Sequence, residues 1–365
     1  MTFSELQSKT ISFLRLPLIA FVVLVHCDFV SVVPELSDSV QYPGYNYMSE
    51  IIHLLFSQSP VLLFFFFSGY LFFIRISDYK SKTYLKKLSN RTRTLLVPYL
   101  FWNLIIIVGY LIIQWFAPTF LPGENVAEYN AKDWLVSLWD ASAVRNYSSL
   151  PLNQPLWFIR DLMVVVICSP LVYIFIKYLR VFGVLVLGGI WLLDIFDLPS
   201  GFSMESFFFF SAGAYFGIFK KNFIFAGIKG KHIAIATIVY LAAVILLILS
   251  SNDNAYIDKL MALSLCIIYL YITAYFISTE SWEANPFLAE SSFFLYCSHG
   301  VVMTASKSIF IKIFDPSGDI QFMLLRLLLW IVTICGGILV YWLLRKYLPR
   351  FTAIITGGRT QRAKA

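Results

Sequence analysis

The chain has 365 residues, of which 59% are apolar, 35 are phenylalanine and only 13% are charged. A water-soluble domain carries about a quarter charged residues, so most side chains here face lipid or one another, which excludes a soluble globular enzyme. The net charge of +7, from 28 Lys and Arg against 21 Asp and Glu, needs no nucleic-acid partner, because membrane insertion itself sorts basic residues.

A bilayer span takes about 20 mostly apolar residues at ~1.5 Å rise each. Ten windows qualify: 11–33, 51–75, 94–116, 155–178, 181–196, 204–219, 232–250, 258–278, 288–312 and 323–347, the fifth and sixth being short. They predict an all-α, polytopic membrane bundle of about ten transmembrane helices. The first window is not a cleavable signal peptide. It carries Arg15 and His26 and lacks a small-residue cleavage site.

The connecting segments test the orientation. With the N-terminus inside, one inner loop holds Arg75, Lys80, Lys82, Lys86, Lys87, Arg91 and Arg93. Later inner segments hold Lys177, Arg180, Lys220, Lys221, Lys229 and Lys231, and the tail adds Arg345, Lys346, Arg350, Arg359, Arg362 and Lys364. The outer segments 34–50 and 197–203 hold no Lys or Arg, and 117–154 has only Lys132 and Arg145. The positive-inside rule therefore puts both termini in the cytoplasm. No linker divides the chain, so residues 1–350 read as one membrane domain and 351–365 as a basic cytoplasmic tail. The five cysteines form no C-x-x-C pair and no cluster with metal-ligand spacing, so neither a disulfide framework nor a metal site is expected.

Ionisable groups inside lipid cost a few kcal/mol each unless paired or hydrated, and so mark function. In the first span Arg15 and His26 are eleven positions apart. On a helix that separates them by about 16 Å and brings them to nearly the same face. Asp28 follows two residues later, on a different face and nearer the outside. His26 is either a packing histidine or a general base, since a neutral imidazole accepts a hydroxyl proton near pH 7. At the end of the second span Ser68-Gly69 permits close helix approach. Lys87, Arg91 and Arg93 then precede Pro98-Tyr99. They read as topology signals, or as a cradle for the phosphates of a nucleotide-like donor. No P-loop or G-x-G-x-x-G supports ATP or NAD.

In the outer segment 117–154, Tyr129, Trp134, Trp139 and Tyr147 are either interfacial anchors or a sugar-stacking platform. The fourth span opens with Trp157, Arg160 and Asp161. An ion pair is one way to tolerate Arg160 and Asp161, but adjacent positions diverge by about 100°, so each is expected to meet a partner on another helix. In the ninth span Tyr296 and His299 lie at i and i+3, on one face. His53 and His232 fall at span ends and read as incidental.

Arg15-x10-His26, FFFFSGYLF, the basic run before Pro98-Tyr99, PLWF at 155–158 and Tyr296-x-x-His299-Gly300 occur in an order that resembles the acyltransferase-3 family over about residues 10–345. Its members are membrane O-acyltransferases of sugars, peptidoglycan, lipids and small molecules. The resemblance implies a catalytic His26 with Arg15 as partner and Asp28 or His299 assisting. It places Lys87, Arg91 and Arg93 where the family contacts the acyl-CoA donor, although R-x-R here replaces R-x-x-R. Trp157, Arg160, Asp161, Tyr296 and His299 would line the acceptor channel. It further implies acetyl-CoA as donor substrate with no bound cofactor, a glycan acceptor, and a multi-pass location in the bacterial inner membrane. The rival reading is a polysaccharide or lipid-linked-sugar transporter or flippase. Paired Gly/Pro interruptions of the kind such proteins often show are absent from the sequence. A receptor or structural role is the third reading.

Overall fold

A computed structural model describes residues 2–56, 58–76, 79–116, 128–142, 149–224, 230–250 and 254–358. Arg145, Tyr147, Arg359, Arg362 and Lys364 lie outside them, as does the His232 side chain. Among the described residues every regular element is helical. The principal helices are α1 (Phe3–His26), α2 (Pro43–Phe56), α3 (Ser59–Phe73), α4 (Ser81–Arg91), α5 (Val97–Phe116), α6 (Ala131–Ser137), α7 (Trp157–Ile167) and α8 (Ser169–Leu179). They continue with α9 (Val181–Leu193), α10 (Met204–Ile218), α11 (Gly230–Ser250), α12 (Ala255–Ser278), α13 (Pro286–Phe314), α14 (Asp319–Tyr347) and α15 (Pro349–Ile355).

Each of the ten apolar windows contains helix, but the first runs past the end of α1 at His26 and the windows are not all single rods. Five stretches are long and apolar enough to cross a membrane: Ser4–His26, Pro43–Phe73, Ser81–Phe116, Ala255–Ser278 and Asp319–Tyr347. A sixth is the pair α7–α8, bent by 66°. Pro170 stands in the first turn of α8, where its ring and missing N–H are tolerated at a helix start but not within a continuing helix. Pro60 does the same at the start of α3. The chain is thus a polytopic helical membrane protein.

Helix α1 occupies the centre, flanked by α2, α3, α12, α13 and α14. Its carbonyl at Ala20 accepts from the Trp330 indole N–H of α14 at 2.8 Å. Helices α3 and α10 make the closest approach. A Cβ at Gly69 would run into the Phe210 carbonyl, and one at Gly213 into the Phe66 carbonyl. The small-residue contact anticipated at Gly69 therefore has its counterpart in α10. Without a hydrophobic gradient between helices in lipid, such close backbone packing supplies much of the association.

The chain between α4 and α5 makes a π-helical turn over Thr92–Leu96, a local widening that recurs at functional sites. Residues 349–358 fold back on it. The Trp102 indole of α5 donates to the Ile355 carbonyl at 3.1 Å, and Gly357, at φ +66°, packs its Cα against the backbone of Thr94. A Cβ at Gly357 would come within 2.5 Å of the Thr94 carbonyl oxygen. The first part of the predicted tail is therefore packed structure.

Candidate active site

His26 closes the last turn of α1 and faces α13. Its ring centroid lies 5.5 Å from that of His299, with the planes tilted by 40°. His299 is 1% exposed. Its Nδ1 sits 2.7 Å from the Tyr296 carbonyl and 3.2 Å from that of Leu295. A carbonyl only accepts, so Nδ1 carries the proton and Nε2 presents its lone pair. That Nε2 is buried and has no hydrogen-bond partner among the described residues.

A cavity of about 170 Å³ opens beside the two histidines. It is lined by Val22, Val25, His26, Val61, Pro155, Trp157, Phe158 and Tyr296. The Tyr296 hydroxyl donates to the Pro155 carbonyl, joining α13 to the turn before α7. Asn153 secures the same junction. Its amide donates to the carbonyls of Trp102 and Cys297, each at 3.3 Å, while its backbone N–H reaches Asn103 Oδ1 at 3.1 Å. Gly300 lets α13 approach, since a Cβ there would meet Asn153 Oδ1 at 2.5 Å. One wall of the cavity is thereby fixed by hydrogen bonds from three elements, while the rest is apolar. Such a mix of apolar lining and few convergent polar groups is typical of small-molecule sites.

Four residues singled out in sequence thus meet in space: His26, Trp157, Tyr296 and His299. Asp28 lies one residue past the α1 cap, where Oδ1 accepts from the Val30 N–H at 3.1 Å and Oδ2 pairs with Lys307 at 3.6 Å. Arg160 and Asp161 do not line this cavity. They pair with each other, Arg160 Nε to Asp161 Oδ1 at 2.9 Å, both nearly fully buried, and the expected partners elsewhere are met as well, Asp161 by Ser203 at the start of α10. The arginine is long enough to curl back across the 100° between neighbours. Its Nη1 then donates to the carbonyls of Trp139 and Ser149 at 2.9 and 2.8 Å, with the guanidinium over the Trp139 ring. Trp139, read as an anchor or a sugar platform, stacks on that arginine and donates its indole N–H to the Ser200 carbonyl at 3.1 Å.

The remaining basic residues stand apart from the cavity. Lys87 donates to the Phe72 carbonyl at 2.6 Å, and Arg91 lies over the Phe72 ring. Arg93 is exposed on the π turn and Arg15 is half-buried on α1. Two cations near His26 escaped the sequence reading. Lys307 on α13 reaches Asp28 and, at 3.4 Å, Ser31 Oγ. Arg326 on α14 donates to Ser49 Oγ at 2.6 Å and lies over the Tyr45 ring. The usable signal was their position within the last two apolar windows, combined with the single acidic group at the end of the first.

Paired histidines, one buried and the other lining a mostly apolar cavity, make a candidate acid–base site within a helical membrane protein. The acyltransferase domain of the acyltransferase-3 family matches residues 9–346, nearly the whole chain, and the protein belongs to that family. It is also similar to the succinoglycan biosynthesis protein ExoH of Rhizobium meliloti (strain 1021), with 28% identity over 309 residues, covering 80% of this chain and 77% of that protein. No solved structure matches.

Proposed function

We propose that this acyltransferase moves an acetyl group from cytoplasmic acetyl-CoA to a hydroxyl of an extracytoplasmic or lipid-linked glycan. The observation that carries the reading is the His26–His299 pair at 5.5 Å, on the edge of an apolar cavity inside the bundle. The family supplies acyl transfer, and similarity to a succinoglycan biosynthesis protein favours a polysaccharide acceptor.

In this mechanism His26 takes the proton of the acceptor hydroxyl as its oxygen attacks the thioester carbonyl. The C–O bond forms, the C–S bond breaks, and the imidazolium returns its proton to the departing CoA thiolate. General-base assistance of this kind contributes about 10²–10⁴-fold. Positioning within the cavity and stabilisation of the developing oxyanion supply the rest. Trp157 offers a flat apolar wall to the sugar or to the acyl chain. Lys87, Arg91 and Arg93 offer the donor's phosphates a basic entrance at the opposite end of the bundle, with guanidinium forks suited to phosphate oxygens. In this reading the helical bundle lies in a bacterial inner membrane with both termini cytoplasmic, which separates donor entry from acceptor entry.

Purified protein in liposomes, supplied with labelled acetyl-CoA and a glycan fraction, tests the reading. His26→Ala should lower transfer by about 10²–10⁴-fold while the protein inserts and unfolds as wild type. Wild-type rates in that variant would remove His26 from the chemistry. Glycan translocation without label transfer would instead establish the flippase reading.

A further inference from the structure

A second, smaller cavity of about 20 Å³ lies where α2 ends and α3 begins, against the start of α12. Its polar lining is His53, Gln58, Ser59 and Asp258, and its apolar lining includes Met261 and Leu265. Such a volume holds one particle the size of a water molecule. Ser59 is 1% exposed, yet its Oγ has no hydrogen-bond partner among the described residues, and neither has the buried Oε1 of Gln58. The nearby Tyr269 hydroxyl donates its proton to the Leu55 carbonyl at 2.6 Å. Asp258 belongs to none of the described ion pairs. Its neighbour Lys259 turns away, to Asp194 at 3.0 Å and the Trp191 carbonyl at 2.9 Å.

The charge around this cavity is negative. Helices α2, α3 and α12 and the neighbouring segment 194–205 carry Glu50, Asp194, Asp197, Glu205 and Asp258 against Lys259 alone. Arg326 of α14 meets Ser49, one turn before His53, and is offset by Asp319 on the same helix, which holds the Gly44 and Tyr45 N–H groups. Three oxygen-bearing side chains from two sides of a helix break therefore line one small cavity, with no protein cation to meet them.

We propose that this cavity binds a single monovalent cation of sodium size. Asp258 supplies the one compensating charge, and Gln58 Oε1, Ser59 Oγ and the His53 imidazole supply neutral lone pairs. Calcium takes about six to eight oxygens, and magnesium keeps several waters, more than this cavity holds. Among the described residues no three His, Cys, Asp or Glu side chains converge, which leaves out a transition-metal site. The carbonyl end of α2 adds the negative end of its dipole, as broken membrane helices do where they hold sodium. The site also touches the catalytic region. Ser59 stands two residues before Val61, which lines the larger cavity beside His26, and Phe56 stacks on Phe21 of α1 at 4.4 Å. The bound ion fixes the α2–α3 break against α12, and with it that wall of the larger cavity. Neither the site nor its test rests on the acyl-transfer reading.

The full-length protein in nanodiscs is equilibrated with radioactive sodium and, in parallel, unfolded thermally in sodium, potassium or choline chloride at matched ionic strength. One saturable sodium should bind per chain, and sodium should raise the midpoint above that in choline. Asp258→Asn should weaken sodium binding about tenfold or more, the scale of a lost charged contact, and Ser59→Ala should weaken it less. In choline Asp258→Asn should unfold no earlier than wild type, because it removes an unpaired charge and keeps the shape. That midpoint also shows the variant to be folded, so its lost binding reports the site. A fall in choline would mark Asp258 as a structural acceptor and overturn the proposal. Equal midpoints in sodium and choline with no saturable sodium would mean that water fills the cavity, which overturns it as well. So does sodium binding retained in both variants, or saturable calcium binding in place of sodium.

Discussion

His299 is held in a manner that separates its two nitrogens by role. The carbonyls of Tyr296 and Leu295 hold Nδ1, so the ring cannot rotate without breaking a buried hydrogen bond. Its Nε2 is left free in the company of His26. An asparagine places its amide nitrogen near the Nδ1 position and nothing near Nε2; a glutamine does the reverse. His299→Asn should therefore keep the fold and lose about 10–100-fold in kcat, the scale on which partners of a reactive imidazole act. Its KM should change little, and His299→Gln should recover part of the loss. Wild-type kcat in the Asn variant would reduce His299 to a packing residue. The histidines were visible in the sequence because an imidazole among aliphatics is conspicuous. Arg160 and Asp161 were equally visible, but their mutual pairing was ranked below partners on other helices, since helical angles describe where a side chain leaves the backbone and not how far an arginine returns. Lys307 and Arg326 were hidden by the opposite effect: near span ends, a basic residue held in tertiary contacts looks the same as one that serves topology.

At the scale of elements, the α3–α10 contact depends on two glycines whose missing Cβ atoms would strike main-chain carbonyls, which cannot swing aside as a side chain can. Gly69→Ala and Gly213→Ala should each destabilise the protein by about 1–3 kcal/mol, the cost of overpacking a filled core. Gly109→Ala on α5, where the new methyl meets open space, should be neutral or slightly stabilising because alanine favours helix. Thermal unfolding in one detergent compares all three, and equal midpoints for Gly69→Ala and Gly109→Ala would dismiss the close contact. Ser68-Gly69 announced half of this interface. The α10 half, in the run Ser211-Ala-Gly213, gave no signal by itself, because which helix meets α3 is a property of the tertiary fold. The breaks at Pro60 and Pro170 were present as letters. Averaging hydropathy over a 20-residue window conceals them, so a bent pair reads as one straight rod.

For the whole molecule, the same arrangement that makes the site also fixes its polarity. The end of α1, the second half of α13 and the beginnings of α2 and α14 converge, which collects His26, His299, Lys307 and Arg326 toward one end. Arg91 and Arg93 lie at the other end of the same membrane domain, on the end of α4 and its π turn. The proposed transfer, from a CoA thioester in the cytoplasm to a glycan outside, would need this separation, and the orientation expected from the charge asymmetry of the loops agrees with it. The two arguments are independent, since one uses chemistry and the other insertion. Cysteines introduced at Val40, which is 89% exposed, and at Lys82 distinguish the alternatives. A membrane-impermeant maleimide should label Val40→Cys in intact spheroplasts and label Lys82→Cys only after permeabilisation. The reverse pattern would put the basic entrance outside the cell, where no CoA thioester is supplied, and the proposed direction of transfer would fail with it.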